Sequence, residues 1–229
     1  MTTLKIDHPA VVNHTTMYRK NVYDPVNYKY KFIKPDTGNK LGKIVNVGRW
    51  RGCKFYTLTL EERATCYEGC EHYTDCYGNN MPFAHRFLTT TALQQVTLMS
   101  KMYSELNDLD KKHSMGYVIR THILGDFFSV KYVKWWGKQL EKRPALNVYG
   151  YSRWHPNTPI GKALDQLRTQ YPDRFCIRFS NRPDDLLSAN SEHIAKNGVK
   201  CPEQTGKSNS CGDCGLCWTM KKQIIFLDH

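Results

Sequence analysis

Downstream of Gly116, short apolar runs alternate with longer stretches in which apolar residues recur every three or four positions. The short runs, at 117–124, 146–151 and 175–180, are rich in β-branched and aromatic residues, as buried strands are. The stretches between them carry helical spacing, begin at the predicted cap residues Ser129 and Thr158, and stop at Pro144 and Pro172. Strands that alternate with helices pair in parallel through right-handed crossovers. The pattern therefore predicts an α/β fold, organised as a partial or closed parallel (β/α) barrel.

The first part of the chain has a different pattern. Alternating aromatic residues, a turn rich in Gly and Asn, and a second apolar run predict a β-hairpin between positions 28 and 47. We divide the chain into an extended, hairpin-forming segment, 1–54, and a barrel-like domain, 55–229. A final strand is expected at 222–227, so the cysteine-rich stretch before it is an insertion in the fold.

One helix is expected between these two regions. Thr91 and Gln94 have the spacing of a capping box at its start. Its predicted inner face consists of Leu93, Val96, Met99, Tyr103 and Leu106. The spacing indicates a helix that packs on the core.

Composition indicates a class of partner. The 229-residue chain has a formal charge of +12 and contains 14 Tyr, 9 Phe and 5 Trp. Scattered positive charge with many aromatic rings is typical of surfaces that contact phosphates and stack on bases, so we expect a nucleic acid or nucleotide. No apolar run approaches the ~20 residues of a transmembrane helix, and the N-terminus lacks the apolar core of a signal peptide. We therefore expect no membrane contact and a cytoplasmic location, and the oligomeric state stays open.

Seven of the nine cysteines fall into two groups, in the loops 65–78 and 199–218. The early group is Cys66, Cys70 and Cys76, and the late group is Cys201, Cys211, Cys214 and Cys217. An odd number of cysteines in a reducing compartment favours metal ligands over disulfides. Three thiolates leave one position open, which fits zinc completed by another side chain or a [4Fe-4S] cluster with one free iron. Four thiolates form a closed set, which fits Zn²⁺ or a second iron–sulfur cluster, and the spacing does not separate the two metals.

The ends of the predicted strands carry the other candidate site residues. Active sites of parallel α/β folds lie at the carboxyl ends of the strands. His122 and Asp126 are the candidates for positioning substrate or moving a proton. The candidates for holding phosphate or carboxylate groups are Arg120, Arg153, Arg178 and Asn181. Each also has a structural alternative, because His122 can be a hydrogen-bonded core residue, Asp126 can cap a helix, and an arginine can pair with a carboxylate.

Several of these segments resemble the gene product 88-like family of phage proteins. The matching motifs are the Cys66–Cys76 loop, residues 120–129, residues 149–153, residues 177–180, and the Cys201-Pro202-Glu203-Gln204-Thr205-Gly206-Lys207 stretch with the terminal cysteine run. The family has no settled activity. The resemblance implies a phage origin and a location in the cytoplasm of an infected host cell.

The layout is also similar, more distantly, to the radical S-adenosylmethionine enzymes. This resemblance implies a [4Fe-4S] cluster on the early cysteines, with Gly125 and Asp126 on the methionine side of S-adenosylmethionine and Tyr77 and Ser152 as further cofactor contacts. The early loop departs from the usual pattern, because its cysteines are separated by three and five residues rather than three and two.

Three functions follow as hypotheses. The first is an iron–sulfur, radical S-adenosylmethionine-like phage enzyme that modifies nucleic acid or a nucleotide, with DNA modification the leading case. The second is a zinc-dependent enzyme that exchanges or hydrolyses bases in nucleic acid, with Asp126 as nucleophile. The third is a non-catalytic DNA-binding protein stapled by zinc.

Overall fold

Ten strands and six helices make up the computed structural model, which describes residues 2–195 and 197–227. Residues 1, 196, 228 and 229, which belong to the predicted segments 1–54 and 55–229, lie outside the described part. The strands are β1 (Val22–Tyr23), β2 (Lys34–Pro35), β3 (Lys54–Thr57), β4 (Arg86–Phe87), β5 (Tyr117–Thr121), β6 (Leu146–Ser152), β7 (Phe175–Phe179), β8 (Ala189–Ser191), β9 (Val199–Lys200) and β10 (Ile224–Phe226). The helices are α1 (Pro9–Val12), α2 (Ala92–Lys112), α3 (Val130–Lys142), α4 (Pro159–Gln170), α5 (Cys211–Cys214) and α6 (Leu216–Thr219).

The main sheet has the order β2-β3-β5-β6-β7. Strands β3, β5, β6 and β7 are parallel and follow one another in chain order, and only β2 is antiparallel. A second, all-parallel sheet has the order β8-β10-β9, and a parallel bridge between Ser180 and Ala189 joins it to the end of β7. The predicted α/β architecture with parallel strands is confirmed. The strands do not close into a barrel within the described residues, so the closed alternative is not formed.

Helices cover one face of the main sheet. The predicted caps of α2, α3 and α4 are all present, at Thr91, Ser129 and Thr158. The side chains of this layer form the larger core, with Ile119, Val148 and Trp136 completely buried. Burying these apolar side chains is the main stabilisation of the fold.

The inner face of α2 differs from the prediction. Leu93 is 64% exposed and Val96 is 48% exposed. The buried positions of the helix are instead Gln94, Leu98, Met99, Met102, Leu106 and Leu109. The apolar positions at 93 and 96 fit a helical stripe equally well, so spacing alone did not fix which side of the first turn faces the core. Although α2 has 21 residues, no described helix is both long and apolar enough to cross a bilayer.

The other face of the sheet is covered by non-helical chain and by the late cysteine segment. Phe55, Val118 and Tyr149 project from three adjacent strands into a second core. Trp50 and Trp218 close this core, with stacked rings 5.3 Å apart. The late cysteines therefore belong to a layer packed directly against the sheet.

The predicted N-terminal hairpin is not formed. Tyr28 and Phe32 are buried but lie outside the strands, and the Phe32 ring packs 4.5 Å from the ring of Phe87. The carboxylate of Glu105 accepts the backbone N–H groups of Phe32 and Ile33 at 2.9 and 2.8 Å. The Glu105 side chain of α2 thus bonds to backbone groups that a neighbouring strand would bond to in a hairpin. The alternating aromatic residues pack against α2 instead. The strand of this region is β2, which pairs with β3 instead.

Candidate functional site

The early cysteine loop begins where the first parallel strand ends. Beyond β3, the backbone N–H of Leu60 donates to the carbonyl of Leu124, which keeps the chain beside the segment that follows β5. Glu62 then forms a completely buried ion pair with Arg86 at 2.6 Å. A buried pair of this kind is strongly destabilising to break, so it fixes the lead-in to Cys66.

Asp126 is tied directly to the start of this loop. Its backbone N–H donates to the Thr65 hydroxyl at 3.0 Å. Its carboxylate accepts the N–H groups of Phe127 and Arg153, both at 2.7 Å, and the Ser152 hydroxyl at 3.2 Å. Asp126 is only 3% exposed. Burial raises the pKa of its carboxyl to about 7, against the opposing effect of these hydrogen bonds.

Gly125 explains how the chain can approach so closely. Its φ is +78°, and a Cβ at this position would lie 2.5 Å from the Thr65 hydroxyl oxygen. Only glycine adopts this conformation and leaves this space without cost. Gly125, Asp126 and Ser152, three of the expected cofactor contacts, are thus held together. The fourth, Tyr77, lies in the early loop and is 48% exposed.

The three early thiols lie within electrostatic reach of one another. Burial raises the pKa of Cys66 well above its ordinary value, and Asp126, Cys76 and Cys70 raise it further. Burial likewise raises the pKa of Cys76 to about 11. None of the nine cysteines forms a disulfide. The donor set therefore suits a thiolate-bound metal, although in the described residues no three His, Cys, Asp or Glu side chains are arranged to hold an ion as they stand.

The late group surrounds α5 and α6. Ser210 caps α5, and Gly215, with a φ of +69°, turns the chain from α5 into α6. Gly212 packs so tightly that a Cβ there would lie 2.3 Å from the Ile44 carbonyl oxygen. Burial raises the pKa of Cys211 to about 12, and the thiols of Cys217 and Cys201 contribute to the increase. The late cysteine loop thus contains two short helical turns, and the thiols of Cys211, Cys217 and Cys201 lie within electrostatic reach of one another.

Arg178 has a structural role in the described protein. It is 3% exposed. Its guanidinium donates to five backbone carbonyls: those of Ser188, Leu216, Cys217, Met220 and Lys222. A guanidinium has five N–H donors, so none is left for the phosphate that the sequence analysis assigned to it. Arg178 instead fastens the late cysteine segment to β7.

Arg153 and Asn181 hold the early loop through a residue that the sequence analysis did not select. Glu71 accepts the Arg153 guanidinium at 3.0 Å and the amide of Asn181. Asn181 also accepts the N–H and hydroxyl of Ser191. These contacts join the ends of β6 and β7 to the cysteine loop. Glu71 could have been identified from the sequence, because it is a carboxylate inside a cysteine loop and the candidates Arg153 and Asn181 can both donate to a carboxylate.

His122 lies in the helix-side core. It is 5% exposed, its Nε2 is 3.1 Å from the Tyr132 hydroxyl, and its ring packs 4.7 Å from Phe127. Burial lowers its pKa to about 3, which keeps the ring neutral. In a continuous strand His122 would lie on the same face as Arg120, but β5 ends at Thr121 and the alternation ends with it.

Arg120 lies between the two cysteine groups. It acts electrostatically on Tyr77 of the early loop and on Cys211 of the late one. Its guanidinium also faces the ring of Tyr151, at 6.0 Å, and the Tyr151 hydroxyl donates to the sulfur of Cys217 at 3.0 Å. Arg120 is thus within electrostatic reach of residues in both cysteine loops.

Known proteins with a related sequence come from bacteriophages. The chain is similar to two phage Gene 88 proteins. It is 28% identical to the Gene 88 protein of Mycobacterium phage L5 over 157 residues, 57% of this chain and 63% of that protein. It is 27% identical to the Gene 88 protein of Mycobacterium phage D29 over 158 residues, with the same coverage. The chain thus spans less than two thirds of the length of these relatives. No protein-family model and no solved structure matches it.

Proposed function

We propose that the protein is a metal-dependent phage enzyme that acts on a nucleotide or nucleic acid, with its reactive centre on the early cysteine loop. The main support is the hydrogen bond between Thr65 and Asp126. It holds the loop with the three free thiols beside a buried carboxyl group, at the carboxyl end of a parallel sheet. Reactive groups of α/β enzymes are found at this end. A partial barrel is also supported by the main sheet, whose parallel strands follow one another in chain order and whose face opposite the helices is covered.

Cys66, Cys70 and Cys76 would hold a [4Fe-4S] cluster, and Cys201, Cys211, Cys214 and Cys217 would hold Zn²⁺ or a second cluster. When bound, a cluster with an open iron supplies one electron for the cleavage of S-adenosylmethionine. Asp126 is positioned by Ser152 and Arg153 and titrates near neutral pH, so it can hold or release a proton at its carboxylate. Tyr77, the fourth expected cofactor contact, is half-exposed in the early loop.

The substrate class rests on charge and origin. The chain carries a formal charge of +12, which attracts polyanions. Its curated relatives are phage proteins, so modification of DNA in the cytoplasm of an infected cell is the leading case. Zinc in both groups would instead support the base-exchange or hydrolytic reaction, with Asp126 as nucleophile, or a non-catalytic zinc-stapled DNA-binding protein.

Metal analysis of anaerobically purified protein tests this proposal. We expect about four iron and four sulfide per chain on the early group after reconstitution. The triple variant Cys66→Ser/Cys70→Ser/Cys76→Ser should lose this iron. The matched control Cys176→Ser, which changes a cysteine outside both groups, should keep it. Colourless protein that contains only zinc after reconstitution would overturn the iron–sulfur proposal.

A further inference from the structure

Arg120 differs from the other arginines of the interior. Its Nε is completely buried, and its guanidinium has no hydrogen bond or ion pair within the described part of the chain. In contrast, Arg86 bonds to Glu62 and to three carbonyls, and Arg178 uses all its donors. A buried guanidinium without partners is costly, since the desolvation of its charge is not offset.

Tyr149 presents a second buried group without a partner beside it. Tyr149 is 1% exposed, and its hydroxyl has no hydrogen bond among the described residues. Arg120 and Tyr149 are paired in register on the adjacent parallel strands β5 and β6. Residues paired in this way project from the same face of the sheet. Arg120 also acts electrostatically on the Tyr149 hydroxyl, so the two side chains are close enough to donate hydrogen bonds to one ligand.

Among the described residues no carboxylate forms an ion pair with Arg120, and the Cys211 thiol acts on it only electrostatically. Asp36 is close enough for Arg120 to act on its carboxyl electrostatically, but the two form no ion pair. The neighbouring rings of Tyr151 and Tyr77 supply π-faces and hydroxyl groups without a fixed negative charge. The Nε of Arg120 is buried, but the residue as a whole keeps some exposed surface, from which a small ligand can approach.

We propose that Arg120 and Tyr149 form a receptor for one terminal oxyanion, a carboxylate or phosphate monoester, of a ligand that enters between the two cysteine groups. The planar guanidinium binds such a group through two parallel hydrogen bonds, and the tyrosine hydroxyl donates a third. This inference deepens the proposed function by naming the part of the substrate that is held. It rests on that proposal only in calling the ligand a substrate.

Binding of three probes to the full-length protein tests the receptor. Inorganic phosphate, acetate and adenosine monophosphate are titrated by calorimetry at physiological salt. We expect one saturable site, and the tightest probe identifies the class of anion. Arg120→Gln should weaken binding by about tenfold or more, which corresponds to the loss of a charge-assisted hydrogen-bond pair. Tyr149→Phe should weaken it by about threefold to tenfold.

Two further variants separate this site from general attraction to a basic protein. Arg120→Lys keeps the charge but loses the two parallel N–H donors of the guanidinium, so it should bind with intermediate affinity. Lys138→Gln removes one exposed positive charge on α3 and should bind like the original protein. Should Arg120→Gln fail to fold, Arg120→Lys and Tyr149→Phe decide the question. Absence of saturable binding for all three probes, or equal binding by the original protein and the folded Arg120 and Tyr149 variants, overturns the receptor.

The outcome is independent of the metal analysis. Anion binding that depends on Arg120 in a protein without iron would leave the receptor in place and remove the iron–sulfur enzyme. Iron bound by the early thiols in a protein that binds none of the probes would do the reverse.

Discussion

Thr65 and Asp126 lie 61 residues apart in the chain, and the Thr65 hydroxyl accepts the backbone N–H of Asp126 at 3.0 Å. The same hydroxyl donates to the carbonyl of Glu61 at 2.8 Å. The Thr65 side chain thus links the segment after β3 to the segment after β5. This link therefore helps to position the early cysteine loop.

Thr65→Val should destabilise the fold. Valine keeps the shape but leaves the buried N–H of Asp126 without an acceptor, which costs about 1–3 kcal/mol in the free energy of unfolding. Urea unfolding followed by circular dichroism measures the change. Thr37→Val, at an exposed position, should change it by less than about 0.5 kcal/mol. Equal stability of Thr65→Val and the original protein would contradict the proposed role of this link.

A second prediction concerns His122 and acid. The folded protein holds its pKa near 3, below the ordinary value of 6.5, so between these limits the unfolded chain binds a proton that the folded chain does not. This contribution to stability is present above pH 6.5 and is lost as the pH falls towards 3. The loss is about 1.4 kcal/mol for each pH unit.

Unfolding free energies measured between pH 7 and pH 4 check this behaviour. His122→Gln keeps a polar atom near Tyr132 but does not titrate, so its stability should fall less steeply with acid. His14→Gln changes an exposed histidine and should follow the original protein. Parallel curves for His122→Gln and the original protein would show that His122 does not titrate in the expected way.

Arg178 provides the third prediction. Its guanidinium satisfies five carbonyls, of which two lie in the late cysteine loop and two directly after it. Arg178→Met fills a similar volume but leaves these carbonyls without donors, so we expect a loss of about 3–5 kcal/mol in the free energy of unfolding. Proteolysis should also become faster at residues 211–222. Arg51→Met, at an exposed position, should have little effect on either measurement.

The sequence predicted the regular part of the fold because its signals are local. The strands at Tyr117–Thr121 and Phe175–Phe179 and the caps at Ser129 and Thr158 depend on residues that are neighbours in the chain. The same reasoning failed at the N-terminal hairpin, where the backbone of Phe32 bonds to a carboxylate 73 residues away. A stripe of alternating aromatic residues does not reveal a distant partner of this kind.

The candidate site divides in the same way. Position at a strand end correctly brought Asp126, Arg153 and Arg120 to the carboxyl edge of the sheet. It did not reveal which arginine keeps free donors. That depends on carbonyls 38 to 44 residues from Arg178, in and directly after the late cysteine loop, and on the absence of such partners around Arg120 within the described residues.

Glu71 supports a last prediction, about the mobility of the early loop. Its carboxylate joins the loop to Arg153 and Asn181, at the ends of two strands. Glu71→Gln removes the charge that holds Arg153, so the loop should open more often, and amide hydrogens at residues 65–78 should exchange faster. Because Glu71 is 35% exposed, the change in global stability should stay below about 1 kcal/mol. Hydrogen exchange with mass spectrometry measures both the site and the size of the effect.

Glu68→Gln removes the same charge from an exposed position of the same loop and should leave exchange unchanged. Faster exchange in both variants would point to the charge of the loop, and unchanged exchange in Glu71→Gln would show that the tether does not hold it.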